Sequence, residues 1–215
     1  MSARPAPHAD RTRASLMSAA ADTLREDGVA GLSARRVAAR AGVNQALIFY
    51  HFGSLGELVD AACRTAVDAS IDDYRDAFAA ATSFSDLLRI GRTLHQRERA
   101  AGNVAMMAQL MAGAQGNEQL AGTARYCMAR WNGELETVVG RLLDGSTFAG
   151  LIDTGGLTRA VSSGFLGVEL YEGIESAGAR QALRTLEELG VLIEIIDELP
   201  PIARRALRTK LRRRT

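Results

Sequence analysis

The chain has 215 residues, 47% hydrophobic and 24% charged, with 21 glycines, 4 prolines and a formal net charge of +1. It is long enough to bury a core; its ordinary composition excludes collagen-like, fibrous and wholly disordered chains, and the few prolines leave room for long helices. No run approaches the roughly twenty apolar residues of a bilayer span, and the start MSARPAPHAD lacks an apolar signal segment, so a cytoplasmic protein without a membrane partner is expected.

Cys63 and Cys127 have no C-x-x-C spacing, and His8, His51 and His95 are scattered, so no disulfide framework, metal site or cofactor is encoded. Charge is segregated. Residues 1–52 hold seven arginines against four acids, residues 53–202 twelve basic against twenty-one acidic, and residues 203–215 seven basic and none acidic. Lys210 is the only lysine, so phosphate contacts must come from arginine forks or neutral donors.

Residues 1–10, with Pro5 and Pro7, read as a flexible N-terminal arm. From Arg11 to Asp27 the apolar residues Leu16, Ala20 and Leu24 recur every four positions, and Gly28 is a stop signal. Ser33 is an N-cap for a short helix from Arg35 to Arg40 whose Val37 and Ala38 face inward, and Gly42 ends it. Asn44 can cap a third helix running to about His51, with Ile48 and Phe52 buried, and Gly53 breaks it. Ser54-Leu55-Gly56-Glu57 matches a capping box ahead of a helix striped by Leu55, Leu58, Val59, Ala62, Ala66, Val67, Ile71, Tyr74 and Phe78.

Helical patterns continue over 84–100, 103–114, 117–144, 155–176 and 179–199, with a loop near 145–156 and no credible strand. In the last two, Leu157, Val161, Gly164, Val168 and Tyr171, and then Ala182, Leu186, Leu189, Ile193 and Ile196, step in fours and threes, so each helix presents a seam for near-parallel packing. Leu192, Ile195 and Leu199 widen the second seam beyond what one neighbour covers, and a symmetric dimer is the simplest closure. The dimer interface is therefore expected at Leu157, Val161, Gly164, Val168, Leu186, Leu189, Ile193 and Ile196.

The segment Leu32 to Phe52 reads as a helix-turn-helix: Gly42 permits the sharp turn, small residues let two helices approach, and the second projects its polar side into a major groove. With the preceding helix and the following Gly53-Ser54 it resembles the N-terminal domain of TetR-family transcriptional regulators over roughly residues 11–60. The resemblance implies an all-α fold: a three-helix DNA-binding domain at 11–53, a helical effector-binding and dimerisation domain at 54–202, and a basic tail at 203–215. It implies that Gln45, Ala46, Leu47 and Phe49 face base edges, that Tyr50 and His51 contact phosphates, and that Arg35 faces DNA from the supporting helix. Independently, glutamine pairs bidentately with adenine, arginine with guanine, and Leu47 or Ala46 can touch a thymine methyl, while Ser33, Arg36, Asn44, Tyr50 and His51 can donate to phosphates.

Two positions depart from the family pattern. A lysine and an acidic residue usually follow Gly53-Ser54, where this chain has Leu55 and Gly56, and Leu47 replaces what is often a hydroxyl residue. The arginines of the arm, Arg4, Arg11 and Arg13, can reach a minor groove. The resemblance sets the C-terminus away from the operator, which makes 203–215 a solvated tail.

Met106, Met107, Met111, Tyr126, Trp131 and Phe165, with Phe84, are candidates to line an effector cavity, because thioethers and aromatics suit small-molecule pockets. His95, Arg99, Glu134 and Glu169 are candidate polar anchors. No nucleophile elbow, phosphate-binding glycine loop, dinucleotide fingerprint or H-E-x-x-H pair occurs, so no catalytic residue and no enzyme is expected. The sequence thus predicts a homodimeric regulator, a repressor of neighbouring genes, that binds a palindromic double-stranded operator and is released by a small-molecule effector. The alternative is a TetR-like ligand-sensing or interaction module without operator binding.

Overall fold

The computed structural model describes residues 7–213, which form ten helices and no strand. In chain order they are α1 (Pro7–Gly31), α2 (Ala34–Ala41), α3 (Ala46–Phe52), α4 (Leu55–Ala80), α5 (Phe84–Ala100), α6 (Asn103–Ala114), α7 (Glu118–Asp144), α8 (Thr154–Glu172), α9 (Ser176–Glu198) and α10 (Pro201–Arg212). The all-α class follows from the periodicities above.

Both ends differ from expectation. Helix α1 begins at Pro7, so the described part of the expected arm is helical; proline suits a first helical turn, and Asp10 there complements the helix dipole. Residues 1–6, with Arg4, lie outside the described residues. Gly28 interrupts α1 as its glycine suggested, at φ +67° and ψ −174°, and a Cβ there would stand 2.7 Å from the Gln109 amide oxygen. The expected tail is instead helix α10, opened by Pro201, and its Arg208 guanidinium donates to the carbonyls of Thr147 and Ala149 at 2.9 Å each. Those bonds satisfy carbonyls in the turn after α7, which a solvated tail would leave open.

The chain divides into two compact units, residues 7–70 with 99–129, and residues 71–98 with 130–213. In the first, α1 packs on α2 and α6 around Leu16, Ala20, Leu24, Val37, Ile48, Leu58, Val59, Cys63, Leu110 and Cys127, all buried. Each such aliphatic side chain contributes about 1.5–3 kcal/mol on leaving water. The helix-turn-helix therefore rests in a unit that also holds the first half of α4, all of α6 and the start of α7. At the head of α4, half of the expected capping box is present: the Glu57 N–H donates to Ser54 Oγ at 3.1 Å.

In the second unit the core gathers Tyr74, Phe78, Leu87, Leu94, Val138, Val139, Leu142 and Leu143, with Phe84, Trp131, Leu157 and Phe165 packed against it. Helix α9 packs on α8 with its polar side inward. Glu187 pairs with Arg92 at 3.3 Å, Glu194 accepts from the Ser85 N–H at 3.1 Å, and Asp197 accepts from the Thr147 N–H at 2.6 Å.

The two cysteines are buried in the first unit, the Cys127 thiol 4.0 Å from the Cys63 carbonyl. Burial first, then the neighbouring Cys127, pushes the Cys63 thiol up to about 12, and burial pushes Cys127 up to about 11. Native protein at pH 8 is therefore expected to leave both thiols unmodified by a thiol-titrating disulfide reagent over minutes, and unfolded protein to react at both. Only the unfolded chain ionises these thiols from about pH 9, so their neutral burial costs stability as pH rises from there towards 12. Fast reaction of the native protein at pH 8 would contradict the burial.

Candidate nucleic-acid interface

Local sequence builds α2, the turn and α3. The Arg36 N–H donates to Ser33 Oγ at 3.3 Å, which caps α2. Gly42 takes the left-handed conformation, φ +67° and ψ 29°, and the N–H groups of Gly42 and Val43 close the end of α2 on the carbonyls of Ala39 and Ala38. Asn44 was expected to cap α3; the cap position falls on Gln45, which makes no side-chain cap bond, and Asn44 one residue earlier turns the chain into the helix, its Oδ1 accepting from the Ala46 N–H at 2.8 Å.

Helix α1 holds the far ends of both helices. Ser15 Oγ donates to the Ala41 carbonyl at 3.3 Å, and Arg13 Nη1 donates to the His51 carbonyl at 3.0 Å. The Arg13 guanidinium also stands 4.3 Å from the centre of the Phe52 ring. Phe52 is consequently half-buried under Arg13 rather than enclosed in the core as expected. Sequence reasoning placed Arg13 in a DNA-reaching arm; a contact 38 residues distant along the chain has no local signal.

Ile48 is fully buried, and it alone roots α3 in the core. Opposite it the helix is open: Phe49 is 51% exposed and Tyr50 80%, Gln45 and Ala46 are exposed, and Leu47 and His51 are half-buried. The His51 ring meets the Tyr50 ring edge-on at 4.9 Å. On the supporting helix, the exposed Arg35 side chain has no hydrogen-bond or ion-pair partner among the described residues. Arg36 lies 3.4 Å from Asp27, and Arg40 binds Glu26 at 2.7 Å and Asp27 at 3.6 Å. The hydrogen bond from Arg40 holds the Glu26 carboxyl below its ordinary range. Two of the three arginines of α2 therefore answer acids on α1, and a phosphate contact by Arg36 would exchange with Asp27.

Residues 16–62 match the family model described as bacterial regulatory proteins of the tetR family. Over these residues the chain is similar to the N-terminal domain of that family. The match runs from Leu16 in α1 through α2, the turn and α3 to Ala62 in α4.

Solved tetR-family structures share the fold well beyond this domain. A Rhodococcus sp. chain assigned as a TetR-family transcriptional regulator superposes with a TM-score of 0.72 at 20% identity, covering 86% of this chain and 98% of its own. A TetR-family regulator from Cytophaga hutchinsonii gives 0.71 at 16% identity, covering 88% and 98%. A chain from Saccharomonospora viridis assigned as a transcriptional regulator, in complex with choline, gives 0.68 at 15% identity, covering 83% and 95%. No curated protein sequence matches the chain.

Outside the tetR-family domain match, the effector candidates divide between the units. Met106 is buried in the first unit, Met107 and Met111 are half-buried there, and the Tyr126 hydroxyl donates to Asp68 at 2.9 Å beneath the Arg64 guanidinium. In the second unit, Trp131 stands edge-on to Phe78 at 6.5 Å and Phe165 edge-on to His95 at 6.1 Å. Of the polar candidates, buried His95 pairs through Nε2 with Glu172, Glu134 lies 3.9 Å from Arg75, Arg99 belongs to the first unit, and the Glu169 side chain lies outside the described residues.

A cleft of about 450 Å³ in the second unit is lined instead by Thr82, Phe84, Arg141, Ile193, Glu194 and Asp197, among others. Burial works against the charge on Glu194, but hydrogen bonds from Ser83 and Ser85 outweigh it and hold the carboxyl below its ordinary range.

Of the expected dimer residues, Val161, Gly164, Leu186 and Leu189 are exposed, and Leu157, Val168, Ile193 and Ile196 are half-buried. Leu192 and Ile195, outside the seam, are 52% and 51% exposed. Among the described residues no group of His, Cys, Asp or Glu could hold a metal, and no helix is long and apolar enough to cross a membrane.

Proposed function

We propose that the chain is a ligand-responsive homodimeric repressor that binds a palindromic operator in double-stranded DNA and is released by a small-molecule effector. The observation that carries this reading is α3: seven residues rooted by Ile48, braced through Arg13 at His51, and open over Gln45, Ala46, Phe49 and Tyr50. A helix held so firmly with its outer side uncovered is shaped to enter a major groove. Gln45, Ala46, Leu47 and Phe49 are assigned to base edges, Arg35 to the groove from α2, and Ser33, Arg36, Asn44, Tyr50 and His51 to phosphates, which fix register.

The dimer reading rests on α9, which turns Glu187, Glu194 and Asp197 to its own unit and leaves Leu186, Leu189, Leu192 and Ile195 outside. A helix that turns three acids to its own unit and leaves a row of leucines outside lacks a neighbour, and a second copy across a two-fold axis supplies one. Symmetry then makes the operator palindromic. Effector contact is proposed for Met107, Met111 and Tyr126 in the first unit and for Trp131 and Phe165 in the second, with Met106 as packing behind the first set. The choline held by the Saccharomonospora viridis protein supports a small-molecule effector. An effector shifts occupancy only as far as its affinity differs between two conformations, and the continuous helix α4 is the proposed carrier of that difference.

A second reading, a module that no longer binds an operator, draws on the pairing of Arg36 and Arg40 with α1 acids and on Leu55-Gly56 at the head of α4. Mobility shift with the DNA upstream of its gene, across a salt series, separates the two. Operator binding should fall steeply with salt and discriminate against unrelated duplex. Gln45→Ala should lose about 1–3 kcal/mol at one or two base positions, and Arg36→Ala should weaken all sequences alike. A flat salt response without discrimination would favour the second reading.

A further inference from the structure

We infer that the exposed side of α10 is a second nucleic-acid surface, one that holds the phosphate backbone of duplex DNA without reading its sequence. This surface lies in the second unit, outside the one that holds the helix-turn-helix, and does not depend on the operator reading. With about 100° between successive residues, Ala203, Arg204, Leu207, Arg208 and Leu211 share one side of α10. All five are half-buried, and Arg208 fastens that side to the carbonyls of Thr147 and Ala149. The opposite side is exposed and carries Arg205, Lys210 and Arg212, with Arg213 just past the helix end. Ala206 and Thr209 lie between these cations, and with Lys210 and Arg213 they line a shallow trough.

What sets these cations apart is the lack of acids around them. Elsewhere, helical arginines answer a carboxylate one turn away: Arg25 with Asp22, Arg64 with Asp60, Arg75 with Asp72 and Arg89 with Asp86, each at 2.7 Å. On α10 every charged pair three or four residues apart is of like sign, so the helix carries repulsion that nothing of its own relieves. Arg205, Lys210, Arg212 and Arg213 have no ion-pair partner among the described residues. The helix dipole favours Lys210 and Arg212 in the last turn, but it works against Arg204 and Arg205 at the start. A polyanion laid on this side supplies the missing charge. Phosphate suits it, because arginine forks take two phosphate oxygens and the small Ala206 and Thr209 leave room between the cations for a sugar–phosphate strand. A lipid surface does not: a helix that beds in a bilayer interface turns an apolar stripe outward, whereas Leu207 and Leu211 lie on the half-buried side and Ile202 is the one large apolar residue exposed on α10. Contact through charge alone carries no sequence information.

The test titrates the full-length protein against an unrelated duplex across a salt series. Each phosphate contact adds about 0.9 to the slope of log affinity against log salt, so Arg205→Gln, Lys210→Gln and Arg212→Gln combined should flatten that slope by at least about 2. All three side chains are exposed, so folding is retained. Arg205→Lys with Arg212→Lys keeps the charge and should keep most of the slope, and Arg180→Gln, an exposed change on α9, should leave it unchanged. Any sequence preference selected from random duplexes should be the same in the triple variant as in the parent. Equal slopes for parent and triple variant would overturn the inference. So would an unchanged DNA slope with loss, in the triple variant alone, of binding to vesicles of phosphatidylserine and phosphatidylcholine, which would assign α10 to a membrane. A parent that selects no sequence yet keeps the slope due to α10 would overturn the operator reading and leave this inference standing.

Discussion

Ile48→Ala is expected to destabilise the first unit by about 2–4 kcal/mol and, through that, to remove operator binding. A seven-residue helix has no stability of its own in water, because nucleating a first turn costs more than so few backbone bonds return. Its position depends on what it buries, and Ile48 is the one fully buried side chain it contributes. Shortening that side chain leaves a cavity under the centre of α3, and the remaining ties, the Arg13 bond to the His51 carbonyl and the half-buried Phe52, grip only its end. Tyr50→Ala serves as the internal contrast: at 80% exposure its loss should change stability by no more than about 0.5 kcal/mol while still weakening a phosphate contact. Urea denaturation and operator titration of both variants check this. If Ile48→Ala unfolds within about 0.5 kcal/mol of the parent, α3 is held by something other than its buried face.

The contrast between Ile48 and Tyr50 was legible in the sequence, because Ser33, Gly42 and Asn44 are local signals that set the helix ends and hence the face each residue takes. The same holds for α5, α6 and α7, whose Gly, Asn and Asp punctuation falls close to the observed limits. Contacts between distant segments were not legible. Nothing near Arg36 or Arg40 in the sequence announces that Asp27 and Glu26 will face them, since that pairing exists only once α1 packs on α2. Arg13 shows the same limit: its composition suggested an arm, and its partner is a helix terminus that forms elsewhere.

The C-terminal segment was misread for a related reason. Its charge suggested solvation, and the carbonyls that receive Arg208 exist only in the folded turn after α7. The Pro200-Pro201 pair was the available sign of a helix start there. For the effector, spacing could nominate Met106, Met107, Met111, Tyr126, Trp131 and Phe165 but could not show that they divide between two compact units. Side-chain chemistry without a shared cavity does not define a ligand.

Leu189→Arg is expected to separate dimer formation from folding. Leu189 is 50% exposed on α9 in the single chain, so an arginine there stays solvated and urea denaturation of the isolated protomer should move by no more than about 0.5 kcal/mol. At a two-fold interface the same change places two guanidinium groups, each close to its copy, against the apolar surface of Leu186, Leu192 and Ile195. Desolvation of unpaired charge costs several kcal/mol, enough to shift the dimer to monomers at micromolar concentration. Operator affinity should then fall by at least about a hundredfold, because a second half-site bound by a tethered partner multiplies affinity by about 10²–10⁴. Sedimentation and operator titration read the two effects, with Arg180→Ala, an exposed change at the opposite end of α9, as the neutral comparison. A variant that remains dimeric and binds the operator at full strength would mean that α9 turns its leucines to solvent for another reason. A variant that is monomeric yet binds at full strength would mean that one α3 suffices. Retained folding with loss of both is the outcome that ties the exposed seam of α9 to recognition at α3.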